Sequence, residues 1–527
     1  MNASSPSGRR LILVAALLAL FAAAVLALFA IICGPLNQDE GWYLLAARNF
    51  AAGKLPYRDY FFTQGPALPA IYGVLTPLWE RFGVLGGRVL TALLGLVASA
   101  GAGLLASKTV PRERAASAGW LGFSLVACNL YHVYFTAIPK TYALASLLVV
   151  LAFLALLKCR AGVRLPSAWA ALSAFLLSAA AGTRLSLAFA LPPVALALLL
   201  TRRRMGSWSW LGFGLGGLAG MALVYGWTAW ICPDEFLFSQ LFHVSRGGRN
   251  LMMPAGSVSR IVRAYTSIFA LLGGVLVWMA FRRGMREESA RVEVSPLALH
   301  RRIWLAAAAC VFLVQLASPH PYDDYQVPVM GLVAAAVASF VVDFARSLPY
   351  ARFVCLCGVL LTCFVSFGSS LLQEWFTVRQ DRFWTELVKE PDLFVLRRVG
   401  REIRELAGNS RELLTPDAYL AVETGAAVPA GLEMGPFSYF PDLNDADARR
   451  HHLFNRARLL QLFENAQDEV CAFSEYGWAI ASPAMTPVPE EERQQFLSAL
   501  ARRYDEVAEH PDFGQNHTRL RIFKLRK

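Results

Sequence analysis

GPLNQDEGWYLLAARNF, residues 34–50, directly follows the first long apolar run of the chain and sets Asp39 and Glu40 side by side. Carboxylates are scarce over the first two-thirds of the sequence: 13 Asp/Glu precede Glu374, against 30 Lys/Arg. Two adjacent acids at the point where an apolar helix surfaces therefore need a reason, and the rest of the sequence supplies it.

Of 527 residues, 56% are hydrophobic and 17% charged, with a mean hydropathy of +0.43. A soluble globular chain carries roughly 25% charged residues. The apolar excess is blocked into runs close to the ~20 residues that cross a bilayer core, so the chain reads as a mainly α, polytopic membrane protein. Its net charge of +12 is unevenly spread, with 20 Lys/Arg against 25 Asp/Glu from Glu374 onward. The basic residues before that point lie in short loops between apolar runs, not on one folded face, which excludes nucleic acid as a partner. Most of the nine cysteines fall inside apolar runs, where Cys behaves as a small hydrophobe. Cys355 and Cys357 lack further ligands at zinc spacing. The apolar stretch after Arg10 is too long for a signal-peptide core and reads as a retained helix.

About eleven spans are expected, near 11–32, 85–106, 115–136, 138–157, 167–183, 185–201, 209–231, 261–281, 303–318, 327–345 and 353–373. Alternate loops collect the basic residues, among them Arg9, Arg10, Lys108, Arg112, Arg114 and Arg202 to Arg204. Positive-inside logic makes these loops cytoplasmic. Segments 33–84, 232–260 and 374–527 then lie outside, and most of the early acids gather at that outer face. The expected division is a membrane domain, 1–373, with its first external loop at 33–84, and an external α/β domain, 374–527. Within 33–84, DEGWYLLAARNFAAG and PALPAIYGVLTPLWERFG read as helices along the membrane surface, with aromatic residues suited to the interface. In the tail, 445–466 reads as helix, and ELLTPDAYLAVET and TRLRIFKL as strands.

Asn37 followed three residues later by Glu40 has the spacing of a capping box, and acids in a first turn favour the helix dipole. That alone would account for the pair. A carboxylate facing a cleft at a bilayer surface also has the makings of a general base. The stretch DEGWYLLAARNFAAGKLPYRDYFFTQGPALPAIYG resembles the first external loop of membrane glycosyltransferases that use polyprenyl-phosphate sugars, the GT-C fold. Within that group it is most similar to the protein mannosyltransferase and aminoarabinose transferase relatives. The resemblance implies an inverting transfer of a sugar from a polyprenyl-phosphate donor to a hydroxyl on a glycolipid, glycan or protein. It implies Asp39 as the base with Glu40 as its neighbour, in an inner cell membrane with the C-terminus outside.

Such chemistry needs cations for the departing phosphate. FHVSRGGRNLMM, residues 242–253, offers His243, Arg246 and Arg249, with two glycines between the arginines. Arg58 lies in the first external loop, and Arg184 joins two closely spaced spans at a depth where a lone charge is costly. SPHPYDDYQVP, residues 318–328, adds Tyr322, Asp323 and Tyr325, which relatives match with polar and aromatic residues near the lipid phosphate. YHVYFTAIPKTYALA departs from the relatives: several carry an acid there, where this chain has Lys140. A version assisted by a divalent cation would then need Asp323 or Asp59 as the second carboxylate. No metal ligand set and no nucleotide cofactor are expected. Gly212, Gly214 and Gly217 match a dinucleotide fingerprint but lie within a span, where Gly212, Gly216 and Gly220 read as a small-residue helix-packing face.

The competing class is a transporter or flippase of a lipid-linked or small polar substrate. Transporters place ionisable groups near the midplane, between repeated halves; here the acids sit at the rim and no repeat is visible. A reporter enzyme fused after Glu374 should be active only outside the cytoplasm. Activity of that fusion in the cytoplasm would overturn the arrangement and the grouping of the acids with it.

Overall fold

The computed structural model describes residues 6–242, 253–283, 298–316, 318, 322–345, 347–380, 385–478 and 480–526. Among these, six helices are long and apolar enough to cross a membrane: Gly8–Cys33, Thr76–Lys108, Ser209–Ile231, Ala298–Leu316, Asp323–Phe344 and Leu348–Phe367. Two bent pairs raise the number to eight, Leu130–Ala137 with Thr141–Leu156 at 116° and Ala255–Ala264 with Thr266–Trp278 at 74°. Pro166–Ala181 and Leu185–Leu200 are apolar but shorter. The length criterion thus supports six to eight spans among the described residues, fewer than the eleven expected.

The largest departure is at 115–136, read as one span. Its helix stops at Ala127, and Asn129 begins another, accepting a hydrogen bond from His132 N at 3.2 Å. An Asn side chain satisfies an orphan amide at a helix start better than it serves mid-helix. The new helix, Leu130–Ala137, ends before Pro139, which disfavours helical backbone in the residue preceding it. The chain then turns sharply into Thr141–Leu156.

Small residues let the helices approach closely. A Cβ on Gly216 would lie 2.1 Å from Ala171 O, and one on Gly212 2.4 Å from Ser167 O. Gly212, Gly216 and Gly220 therefore form a contact with Pro166–Ala181, the packing role expected of them, whereas Gly214 meets nothing among the described residues. Both surface helices of the first loop form as read, at Gln38–Ala51 and Ala67–Val74, the second continuing through Thr76–Trp79. Between them Tyr57, Tyr60, Phe61 and Phe62 are buried, whereas Val74 and Leu78 face outward.

The C-terminal segment carries a three-stranded antiparallel sheet in the order β3 (Val470–Ser474), β5 (Thr518–Leu525), β4 (Tyr504–Phe513), with Cys471 and Glu506 both opposite Phe523. A separate hairpin pairs β1 (Val378–Gln380) with β2 (Thr385–Leu387). TRLRIFKL is strand β5, but ELLTPDAYLAVET is not a strand. Only Leu414 bridges the sheet, at Cys471, and Ala418–Thr424 is helical. Its residues from Ala418 to Val422 are all buried, so the run lacks the alternation of a half-buried strand; an unbroken apolar run fits a buried helix equally well. The stretch 445–466 is two helices, Asp445–Arg450 and Arg456–Asn465, with left-handed His452 between them.

One ion pair ties the first two spans and the surface helix together. Arg88 donates from Nε to Glu40 Oε2 at 2.6 Å and from Nη2 to Glu40 Oε1 at 2.7 Å. Its other donors reach Ile31 O and Gly34 O through Nη1 and Pro35 O through Nη2, at 2.9–3.1 Å. Glu40 also accepts from Asn37 N at 3.0 Å, which completes the capping box. Both side chains are buried, Glu40 completely. All five guanidinium N–H groups are used, and the cation sits at the carboxyl end of the first helix, where the dipole favours it. Removing one member of such a pair strands the other, at about 3–5 kcal/mol. Arg88→Met should therefore lower the melting temperature of the detergent-purified protein sharply, while Asp39→Asn should leave it near the parent value. Equal melting of the parent and Arg88→Met would show that the pair does not carry the fold.

Candidate active site

Because Glu40 turns inward to Arg88, its neighbour Asp39 faces a different side of the Gln38–Ala51 helix and remains 26% exposed. Its carboxylate meets Lys140 Nζ at 2.8 Å. Lys140 stands at the break between Leu130–Ala137 and Thr141–Leu156, so its position depends on Pro139 ending the first of these helices. Its ammonium is almost buried and also lies 3.4 Å from Asp324 Oδ2. Asp324 comes from the 3₁₀ turn Asp323–Gln326, which opens the Val327–Phe344 helix. Two carboxylates from distant elements thus share one lysine.

Arginine and tyrosine surround this triad. Arg184 Nη1 donates to Tyr142 Oη at 2.7 Å, and its guanidinium lies 4.1 Å from the Tyr325 ring centroid and 4.9 Å from that of Tyr142. Cations over aromatic faces are held without being neutralised. Tyr43, one turn along from Asp39, is buried among Asp39, Arg184, Lys140 and Asp324; burial, with Asp39 second, pushes its phenol well up. Asp323 faces outward to Arg263 Nη2 at 3.3 Å and Arg260 Nε at 3.4 Å, both on the Met253–Ala264 helix. The Tyr322 ring stands edge-on to Tyr325 at 5.5 Å.

From the other side the C-terminal segment closes over the start of the surface helix. Gln38 Nε2 donates to Asp417 Oδ1 at 3.0 Å, and Gln38 N donates to Gln515 Oε1 at 2.7 Å. Burial pushes the Asp417 carboxyl up, while hydrogen bonds from Ser474 N, Ser474 Oγ, Gln38 and Tyr419 draw it back. Tyr476, whose Oη accepts from Gln515 Nε2 at 3.0 Å, is pushed up to about 12, first by burial and then by Asp39. Packing here is tight: a Cβ on Gly41 would lie 2.1 Å from Tyr419 N.

Of the residues singled out from sequence, Asp39, Arg184, Tyr322, Asp323 and Tyr325 belong to this one neighbourhood. Glu40 is beside it in sequence, but its carboxylate is engaged by Arg88. Arg58 pairs with its neighbour Asp59 at 2.6 Å, away from the triad, and Asp59 is further held by Leu55 N. His243, Arg246 and Arg249 lie outside the described residues. Lys140, Arg260, Arg263 and Tyr142 were missed as site residues, while Asp324 lay in the external cluster 318–328 already singled out. The signal for Lys140 was a single cation beside Pro139, at a break between apolar runs, where a counter-ion for Asp39 could stand.

No protein family matches the sequence, and no curated protein sequence matches it. Among solved structures, ArnT from Cupriavidus metallidurans in its apo state superposes with a TM-score of 0.61 at 14% identity, over 96% of this chain and 97% of that one. The same protein bound to undecaprenyl phosphate gives 0.61 at 13% identity, with the same coverage. The Archaeoglobus fulgidus oligosaccharyltransferase matches more loosely, at 0.48 and 11% identity over 95% of this chain and 76% of its own. The chain has the GT-C fold. Its arrangement is similar to that of ArnT over nearly the full length of both chains.

Proposed function

We propose that this protein is an integral-membrane glycosyltransferase that moves a sugar from a polyprenyl phosphate to an acceptor hydroxyl, with Asp39 as the general base. The observation that carries this reading is Asp39 itself, a partly open carboxylate paired with Lys140, with Arg184 in the same cluster around Tyr43. The fold supports it, since ArnT, which shares that fold, has been solved with undecaprenyl phosphate bound. If the 13-residue apolar helix Ala115–Ala127 also crosses, beside the six long, two bent and two shorter segments, the crossings number eleven, and that odd number would place this cluster and the C-terminal segment on the external face of the inner membrane.

The reaction needs three things of these residues. The acceptor oxygen must lose its proton as it bonds to the anomeric carbon, and Asp39 takes that proton. The bond from the anomeric carbon to phosphate oxygen breaks on the opposite face, inverting the centre and releasing polyprenyl phosphate. That leaving group gathers negative charge, which the arginines and Lys140 stabilise. Lys140 links the two ends of this scheme. Without donor it shares its single positive charge between Asp39 and Asp324; with a phosphate present, its long side chain can turn to the new anion and leave Asp39 basic.

The set Asp39, Asp324 and Lys140 does not fit a divalent cation, because an ammonium already lies between the two carboxylates, and no step here is assigned to one. Tyr325 and Tyr142 hold Arg184 in place, Asp323 holds Arg260 and Arg263, and Tyr322 offers an exposed ring to substrate. Arg58, His243, Arg246 and Arg249 remain proposed contacts for substrate approaching from outside.

Asp39→Asn preserves size and most first-turn hydrogen bonding but removes the base. Sugar transfer from a polyprenyl-phosphate donor by the purified protein should fall about 10²–10⁴-fold, with melting nearly unchanged. Lys140→Met should raise the KM for donor, whereas Glu40→Gln should act mainly on stability. Near-normal transfer by Asp39→Asn would sink this mechanism.

A further inference from the structure

A second basic cluster lies outside this site, on the Asp392–Ala407 helix of the C-terminal segment. One side of that helix buries Leu393, Leu396, Val399, Gly400 and Ile403. Phe394, Arg397, Arg398, Arg401 and Arg404, spaced at three- and four-residue intervals, lie on the other face. With Glu390 and Glu423 they line a cleft of about 390 Å³. Four guanidinium groups face two carboxylates, so the cleft is positive. Arg398 pairs with Glu390 at 2.9 Å and Arg397 with Glu423 at 3.6 Å, while Arg404 Nη1 donates to Glu423 O at 3.2 Å. Arg401 has no ion-pair partner among the described residues. Phe394 is 45% exposed in the same cleft.

The place of this helix decides what it meets. Asp392, at its start, accepts from Leu36 N at 3.2 Å, just past the end of the first span. Glu423, beside Gly400, accepts from Val84 N at 3.2 Å, where the Gly83–Lys108 helix begins. The helix therefore sits against the end of the first span and, through Glu423 of the adjoining Ala418–Thr424 helix, against the start of the second. Next to that junction Leu78 and Phe82 are exposed at 64% and 43%, as apolar side chains are at a lipid interface. With the two spans in a bilayer, charges beside their ends would stand close to the headgroups.

We propose that this face binds the phosphate headgroups of anionic phospholipids in the leaflet it overlies. Guanidinium forks match phosphate oxygens in pairs, the unpaired Arg401 supplies uncommitted donors, and Phe394 offers an apolar contact for the acyl end. The glutamates hold Arg397, Arg398 and Arg404 in a row, so the site is arranged before lipid arrives. It is independent of the sugar-transfer reading, because it uses none of that site's residues.

The test is the melting temperature of the full-length protein in detergent, titrated with short-chain phosphatidylglycerol, short-chain phosphatidylcholine or inorganic phosphate. A ligand that binds only the folded state raises melting by mass action. Phosphatidylglycerol should raise it at concentrations where the other two do nothing, and added salt should weaken the effect. Arg398→Gln and Arg401→Gln should each raise the half-saturating concentration about fivefold. Arg401→Gln alone breaks no described ion pair, so its reading survives if the Arg398 variant is unstable. Equal shifts with phosphatidylcholine, an equal shift with inorganic phosphate, or an unchanged half-saturation in Arg401→Gln would each overturn the proposal.

Discussion

The buried pair of Arg88 with Glu40 is the constraint on which the rest depends. Isolated in the low dielectric of a span bundle, either charge would be prohibitive. Together, with the carbonyls of Ile31, Gly34 and Pro35 taking the remaining guanidinium donors, they fix three things at one point. The first span ends there, the second begins there, and the Gln38–Ala51 helix is held at a set rotation. That rotation separates the two acids of the opening stretch. Glu40 is committed to the interior, and Asp39, the next residue back, is left to face Lys140.

A similar economy governs Lys140. A lysine between two carboxylates is satisfied without a permanent loss of adaptability, since its ammonium has three donors and a flexible stem. Arg184 behaves differently, its planar cation laid over Tyr325 and bonded to Tyr142. One cation is thus fixed by aromatic rings and a tyrosine hydroxyl, the other by two carboxylates at the end of a flexible stem. Only the second can exchange one anion for another without leaving its charge unpaired, and it is the one touching Asp39.

Much of this was legible in the sequence where local chemistry and topology agreed. Asn37 and Glu40 announced a helix start, the apolar run before them announced a surfacing span, and the coincidence marked Asp39. Gly212, Gly216 and Gly220 at four-residue spacing announced a packed helix face. What stayed hidden depends on pairing across long separations. Arg88 looked like an ordinary residue near a span end because its partner lies 48 positions earlier. Asp324 gave no sign of meeting Lys140, and the arginines at 260 and 263 looked like the threshold of a span until the backbone bent at Tyr265. Ala418–Thr424 was misread because burial on every side erases the periodicity that separates helix from strand. Asn129 broke an apolar stretch whose hydropathy alone runs straight through it.

The hold that Asp417 and Gln515 exert on Gln38 has a consequence for synthesis. These partners follow Gln38 by 379 and 477 residues, so a ribosome must deliver all the membrane-crossing helices before the helix bearing Asp39 receives its final clamps. A nascent or shortened chain would already possess the ion pair of Arg88, and with it an inserted bundle, yet the lip of its cleft would be unfinished. Maturation is thereby separated from insertion: the chain enters the bilayer early and becomes complete late, when its last strand has joined the sheet.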